Sequence, residues 1–198
     1  MDNKQKKRIV LASGNKHKIA EIAAMLPDYE IVGYKDFFDC EIEETGNTFE
    51  DNSYLKAKAL FDFCKKPSLA DDSGLMVEAL GGAPGVFSAR YSGEGHTDAA
   101  NRAKLLRELE GKSDRRAKFV CVITLIDENG NVFRGYGETH GEILSKECGD
   151  NGFGYDSLFF SYDLKKSFGE ATAEEKNEVS HRSRALADLT KKLWYYKV

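Results

Sequence analysis

A four-residue apolar run, followed at once by a small-residue turn and a periodic helix, constrains this 198-residue chain more than any other feature. Ile9-Val10-Leu11-Ala12 is short and continuous, so it reads as a buried strand. Asn15 then opens a helix in which Ile19, Ile22, Ala23 and Leu26 keep the helical period, and Pro27 stops it. Residues 29–34 read as a second strand. A strand–turn–helix–strand start argues for an α/β fold.

The rest of the chain agrees. The pattern predicts a long helix over 48–65, a short strand over 68–70, and an irregular segment between the glycine clusters at 81–85 and 92–95. It predicts a helix over 98–109 with Thr97 as its N-cap. Residues 119–126 and 131–136 flank Glu128-Asn129-Gly130, a hairpin signal that makes the sheet mixed. Further strands are expected at 143–144 and 158–160. Thr172-Ala-Glu-Glu175 has capping-box spacing, and a last helix is expected over 179–195.

Composition excludes several classes. With 29 Lys and Arg against 33 Asp and Glu, the net charge is −4, which argues against a generic cationic nucleic-acid binder. Hydrophobic residues at 41% and charged residues at 31% suit a globular domain rather than a disordered chain. One domain over 1–198, possessing two lobes or none, is expected, with 1–7 as a flexible extension. No run reaches the roughly 20 apolar residues that span a bilayer. The basic start is followed by too short an apolar stretch for a secretory signal. The four cysteines (Cys40, Cys64, Cys121, Cys148) form no C-x-x-C pair, so reduced thiols in a cytoplasmic protein are expected.

Five segments carry candidate chemistry. Ser13-Gly14-Asn15-Lys16-His17-Lys18 joins a buried strand to a helix N-terminus, where backbone N–H groups bind anions. Cations there oppose the helix dipole, so something negative should compensate: phosphate, or else solvent around surface lysines. Lys56 falls on the apolar stripe Phe49, Ser53, Ala57, Leu60, Cys64, where a lysine must pair, snorkel or bind an anion. Glu43-Glu44 and Asp71-Asp72 are the carboxylate pairs. A carboxylate at the end of the buried 68–70 strand is a common way to hold Mg²⁺, and capping of a following helix by Asp72 or Ser73 is the alternative. Metal and lysines together would neutralise a breaking polyphosphate. In Asn151-Gly-Phe153-Gly154-Tyr155-Asp156 the glycines leave Phe153 accessible to a stacked base, with core packing as the alternative. Arg182 projects onto the apolar stripe of the last helix beside His181, where it would read a purine O6 or pair with an internal carboxylate.

Together these segments resemble the inosine triphosphate pyrophosphatase family. The matching blocks, in order, are SGNKHK (13–18), EETGNTFEDNSYLKAKA (43–59), ADDSGL (70–75), GGAPGVFSARYSG (81–93), GFGYDSLF (152–159) and EEKNEVSHRSRAL (174–186). The resemblance implies an α/β fold with a long mixed sheet flanked by helices, two lobes with a central cleft, a homodimer and Mg²⁺ dependence. It implies hydrolysis of a non-standard purine nucleoside triphosphate (ITP, dITP, XTP) to the monophosphate and pyrophosphate. On that pattern residues 13–18, Lys56 and Ser73 meet the triphosphate, Glu44 and Asp72 the metal, with Asp72 also the proton acceptor. Phe153, Gly154, Tyr155, Asp156, Lys176, His181 and Arg182 match the nucleoside-binding positions. Ser13, Ser157 and Ser183 stand where the family commonly has Thr, Pro and Gly. A Maf-like pyrophosphatase acting on pyrimidine or modified nucleotides is the alternative enzyme; the His181-Arg182 pair and the FGYD stretch argue against it. A non-catalytic nucleotide sensor is the alternative of a different class; Glu44 and Asp72 argue against that.

Overall fold

The computed structural model describes residues 6–36 and 42–196. Strand β1 (Lys7–Leu11) leads through a turn to helix α1 (Lys16–Met25) and back to β2 (Tyr29–Gly33). The remaining elements are α2 (Phe49–Cys64), β3 (Ser68–Val77), α3 (Asp98–Glu108), β4 (Arg116–Ile126), β5 (Val132–Ile143), β6 (Phe159–Ser161), β7 (Lys166–Ser167), α4 (Ala173–Val179) and α5 (His181–Tyr196). Short 3-10 turns occupy Tyr34–Asp36, Glu78–Leu80, Gly85–Arg90 and Asp156–Leu158.

The strands form one seven-stranded sheet in the order β2-β1-β3-β4-β5-β6-β7. β1 runs parallel to β2 and to β3, with Ile9 opposite Ile31 and Leu11 opposite Leu69. β6 runs antiparallel to both β5 and β7. The expected mixed sheet with helices is therefore present.

The chain divides into two compact units. The first comprises residues 1–72, 122–136 and 185–198. Its core gathers Val10, Ala12, Tyr34, Ala57, Leu60, Ala70 and Ile126. The second comprises 73–121 and 137–184. Its core gathers Leu75, Val77, Leu105, Leu109, Phe119, Ile143, Leu158, Phe159 and Phe168. Phe119, Phe159 and Phe168 meet at tilted or stacked angles, with centroids 4.7–6.2 Å apart. Such pairs are worth about 0.5–1.5 kcal/mol each beyond the area they bury.

Several boundaries differ from expectation. β1 begins at Lys7, paired with Tyr29, so Lys7 belongs to the sheet rather than to a flexible extension; residues 1–5 lie outside the described residues, as does Cys40. Tyr34 starts a 3-10 turn instead of ending β2. β3 runs for ten residues rather than three, because lysines pair both acids that should have ended it. Residue 143 closes β5 instead of starting a new strand. Val179 ends α4, and extended backbone at Ser180 separates it from α5. The two-residue β7 gave no recognisable apolar pattern.

Candidate functional site

In the first unit the site begins at the cap of α1. Asn15 Oδ1 accepts the N–H groups of His17 (2.9 Å) and Lys18 (3.3 Å), and Ser13 Oγ accepts that of Asn15 (3.1 Å). The sequence reading left those amides to an anion; asparagine, a strong N-cap, takes two of them instead. Lys18 turns to Asp71, with Nζ 3.0 Å from Oδ2 of a fully buried carboxylate. The negative partner the lysines require is thus partly internal. Lys16 and His17 stay exposed. Lys35 was missed: its stem lies across the loop, so a Cβ on Gly14 would come within 2.9 Å of Lys35 Cε. An isolated lysine beside Tyr34 carried no sequence signal.

Helix α2 and strand β3 supply the centre. Thr48 caps α2 by accepting the N–H of Asp51 at 3.0 Å. The helix then brings Asn52 and Lys56, one turn apart, to one face. Lys56 Nζ lies 2.6 Å from Glu44 Oε1 and 3.3 Å from Asp72 Oδ1. Neither snorkelling nor a lone inward charge describes it: Lys56 is 6% exposed and bridges two carboxylates. Asn52, fully buried, donates to Asp72 Oδ2 (3.2 Å) and accepts the N–H of Gly46 (2.8 Å), tying the Glu44 loop to β3. Sequence reasoning passed over Asn52, although its i,i+4 spacing to Lys56 was visible.

Asp71 and Asp72 are successive residues of β3, so their side chains leave opposite faces of the strand. Asp72 lies within the strand and not at its end, and strand rather than helix follows it, so helix capping by Asp72 or Ser73 is excluded. Burial pushes the Asp72 carboxyl up. Lys56 draws it down, Glu44 raises it, Lys18 and Asn52 draw it down, and the net direction is up. For Lys56, burial lowers the ammonium, but Asp72, Asp71 and Glu44 outweigh burial and raise it. In these ion pairs of the described residues, Glu44, Asp71 and Asp72 meet Lys18 and Lys56. Among the described residues no three His, Cys, Asp or Glu side chains gather as a metal site. Magnesium does not need three: it takes one or two carboxylates and completes its shell with waters and phosphates. Glu44 and Asp72, converging from separate elements, fit that requirement.

In the second unit, Asp156 Oδ2 accepts the N–H of Phe153 (2.9 Å) and bonds Lys176 Nζ (2.6 Å). The Lys176 ammonium sits 4.7 Å from the Phe153 centroid and 5.7 Å from that of Phe168. Gly152 makes this knot possible: its φ is +77°, and a Cβ there would stand 2.2 Å from Asp156 Oδ2. Tyr155 is buried and donates to Ser88 O (2.8 Å), so it anchors the loop. His181 stacks on Phe119 at 4.9 Å. Arg182, 1% exposed, donates from Nη2 to Ser73 Oγ at 3.0 Å. The Ser73 hydroxyl is thus one internal partner of Arg182. Glu44, Lys56, Asp72 and residues 13–18 therefore belong to the first unit. Ser73, 153–156, Lys176, His181 and Arg182 belong to the second.

The seven-stranded mixed sheet with its helices defines an α/β protein. Comparison with known proteins narrows the class. The sequence model of the Ham1 family matches residues 9–192, and the chain belongs to that family. A dITP/XTP pyrophosphatase of Desulfotalea psychrophila is 48% identical over 184 residues, covering 91% of this chain and 82% of that protein. A dITP/XTP pyrophosphatase of Staphylococcus aureus is 45% identical, covering 91% and 93%. The solved Ham1 protein of Staphylococcus aureus superposes with a TM-score of 0.86 at 42% identity, covering 96% of this chain and all of that one. The HAM1 protein of Coxiella burnetii matches with the same score and identity, covering 96% and 99%.

Proposed function

We propose that this chain is a magnesium-dependent nucleoside-triphosphate pyrophosphatase that converts ITP, dITP and XTP to the monophosphate and pyrophosphate, acting as one domain. The observation that carries this reading is the Glu44–Lys56–Asp72–Asn52 centre in a chain whose relatives bear the name dITP/XTP pyrophosphatase.

Residues 13–18 and Lys56 hold the triphosphate, with Ser73 as a further phosphate contact. Glu44 and Asp72 would hold Mg²⁺, which when bound would neutralise phosphate charge. A water oxygen attacks the α-phosphorus, the bond from that phosphorus to the bridging oxygen of pyrophosphate breaks, and Asp72 takes the water's proton. Phe153 stacks on the base, bounded by Gly154, Tyr155 and Asp156, and Lys176 and His181 line the nucleoside. One face of the Phe153 ring holds the Lys176 ammonium. Arg182 donates to O6, a group that adenine lacks. The same reading places the enzyme in the cytoplasm as a homodimer, without nucleic-acid or membrane partners; among the described residues no helix is long and apolar enough to cross a membrane.

The test is pyrophosphate release from ITP, dITP, XTP, GTP, ATP and dCTP, with and without Mg²⁺. Turnover confined to the first three and abolished by chelation is expected. Equal turnover of ATP, or preference for a pyrimidine, overturns the reading. Arg182→Lys should narrow the ITP-to-ATP ratio in kcat/KM, since a lysine lacks the rigid fork that fixes donors on an oxygen.

A further inference from the structure

We propose that Asp98 and Arg102, one helical turn apart on α3, are positioning residues that clamp the Gly154 peptide and thereby orient the Phe153 ring against the purine. The proposal rests on the reading of Phe153 as the stacking residue. Gly154 N–H donates to Asp98 Oδ2 at 2.8 Å, and Gly154 O accepts from Arg102 Nη1 at 2.8 Å. Both hydrogen-bonding groups of one residue are thus held by a single face of one helix.

The loop needs such a restraint. Gly152 and Gly154, on either side of the ring, have φ of +77° and +61°, and glycine alone enters that region without steric cost. Phe153 is held on its N-terminal side from within its own loop, by Asp156. On the side that follows the ring, Phe153 O accepts the Asp156 N–H at 3.1 Å, and α3 holds both backbone groups of Gly154. Arg102 is itself fixed: Nε lies 3.0 Å from Glu147 Oε1, and Ser157 donates to the other Glu147 oxygen at 3.0 Å. Its side chain is 19% exposed. Asp98 sits in the first turn of α3 behind the Thr97 cap, where a carboxylate is favoured. Asn101, on the same helix, bonds Ala89 O (3.0 Å) and Ser92 N–H (2.7 Å), which seats α3 against the segment that also receives the Tyr155 hydroxyl. A ring held in place before the base arrives spares the ordering cost at binding.

The test is a double-mutant cycle on ITP turnover, with inorganic triphosphate as a base-free competitive inhibitor. Arg102→Met, which keeps the stem, should raise KM about tenfold and leave kcat nearly unchanged, since misorientation of a positioned contact acts on binding geometry. Asp98→Ala should match it, and Asp98→Asn, which keeps an acceptor, should restore most of the affinity. In a Phe153→Ala background Arg102→Met should add little, because both changes act through one ring. The inhibition constant of inorganic triphosphate should stay fixed in every variant. An unchanged KM in Arg102→Met, fully multiplicative effects in the double variant, or a parallel loss of inorganic triphosphate binding overturns the clamp. A wild-type protein that turns over no nucleotide removes the underlying reading instead, and the wild-type control tells the two failures apart.

Discussion

Lys56 reverses its sequence-based meaning once its neighbours are known. On the helical wheel it is a charge on an apolar stripe, and removing such a charge should not harm stability. In the structure it is the cation between Glu44 and Asp72. Lys56→Met leaves two carboxylates without that partner, and breaking a buried pair costs about 3–5 kcal/mol. A change of that size lowers Tm by about 6–20 °C in a domain of this length. The loss should be largest at neutral pH and shrink in acid. Asp72, raised in the folded state and raised further without Lys56, contributes stability that is full below its ordinary value of 3.8 and is lost as pH rises through its folded value. Thermal melts of both proteins from pH 4 to 8 check this, and equal Tm at pH 7 would show that the bridge adds nothing. Asp72→Asn separates chemistry from packing: the amide keeps the shape, the protein stays folded, and kcat falls about 10²–10⁴-fold through loss of the acceptor. Near-normal kcat in a folded variant removes Asp72 from the mechanism.

At the scale of elements, legibility followed whether the signal was local. The caps of α1, α3 and α4 were readable because capping is decided by residues three apart, and the Asp127–Asn131 turn because Gly130 supplies a φ of +82°. β3 was not readable past Ala70. Two acids ordinarily end a buried strand, and the lysines that neutralise them arrive from α1 and α2, 53 and 16 residues away in sequence. The same applies to the site. Glu44, Lys56, Asp72 and Arg182 could be proposed singly from type and position, and the order of the blocks joined them; Asn52 and Lys35 depend on which side chain lies across which loop. The α4 cap links an element to the site, because Thr172 accepts the Glu175 N–H at 3.2 Å one residue before Lys176. Thr172→Ala should cost about 1 kcal/mol, roughly 2–4 °C in Tm. The hydrogen bond from Lys166, then that from the Thr172 backbone, hold the Glu175 carboxyl below its ordinary 4.5. Its contribution is therefore present above pH 4.5 and lost as pH falls through the folded value. A Glu175→Gln protein should melt below wild type at pH 7 and approach it in acid; a constant gap would assign the effect to packing.

For the molecule as a whole, the question is whether residues assigned to two compact units serve one ligand. The sheet runs in unbroken order from β2 to β7, and the chain crosses from one unit to the other between Asp72 and Ser73 in the middle of β3. A ligand that binds only the folded state stabilises it by RT ln(1 + [L]/Kd), about 2.7 kcal/mol at a hundredfold excess over Kd. For a protein of this length that raises Tm by about 5–11 °C. Hydrogen exchange reports where that stabilisation acts, because local opening is slowed only in segments that cannot open with the ligand in place. A non-hydrolysable imido analogue of ITP with Mg²⁺ should therefore slow exchange both in α2 of the first unit and in α4 and the 152–156 loop of the second. Inorganic triphosphate, which has no base for Phe153 or Arg182, should protect α2 and leave the 152–156 loop unchanged. If the nucleotide analogue protects one unit alone, the two sets of residues do not meet one substrate, and the assignment of Phe153, His181 and Arg182 to the base is wrong even where Asp72 proves catalytic.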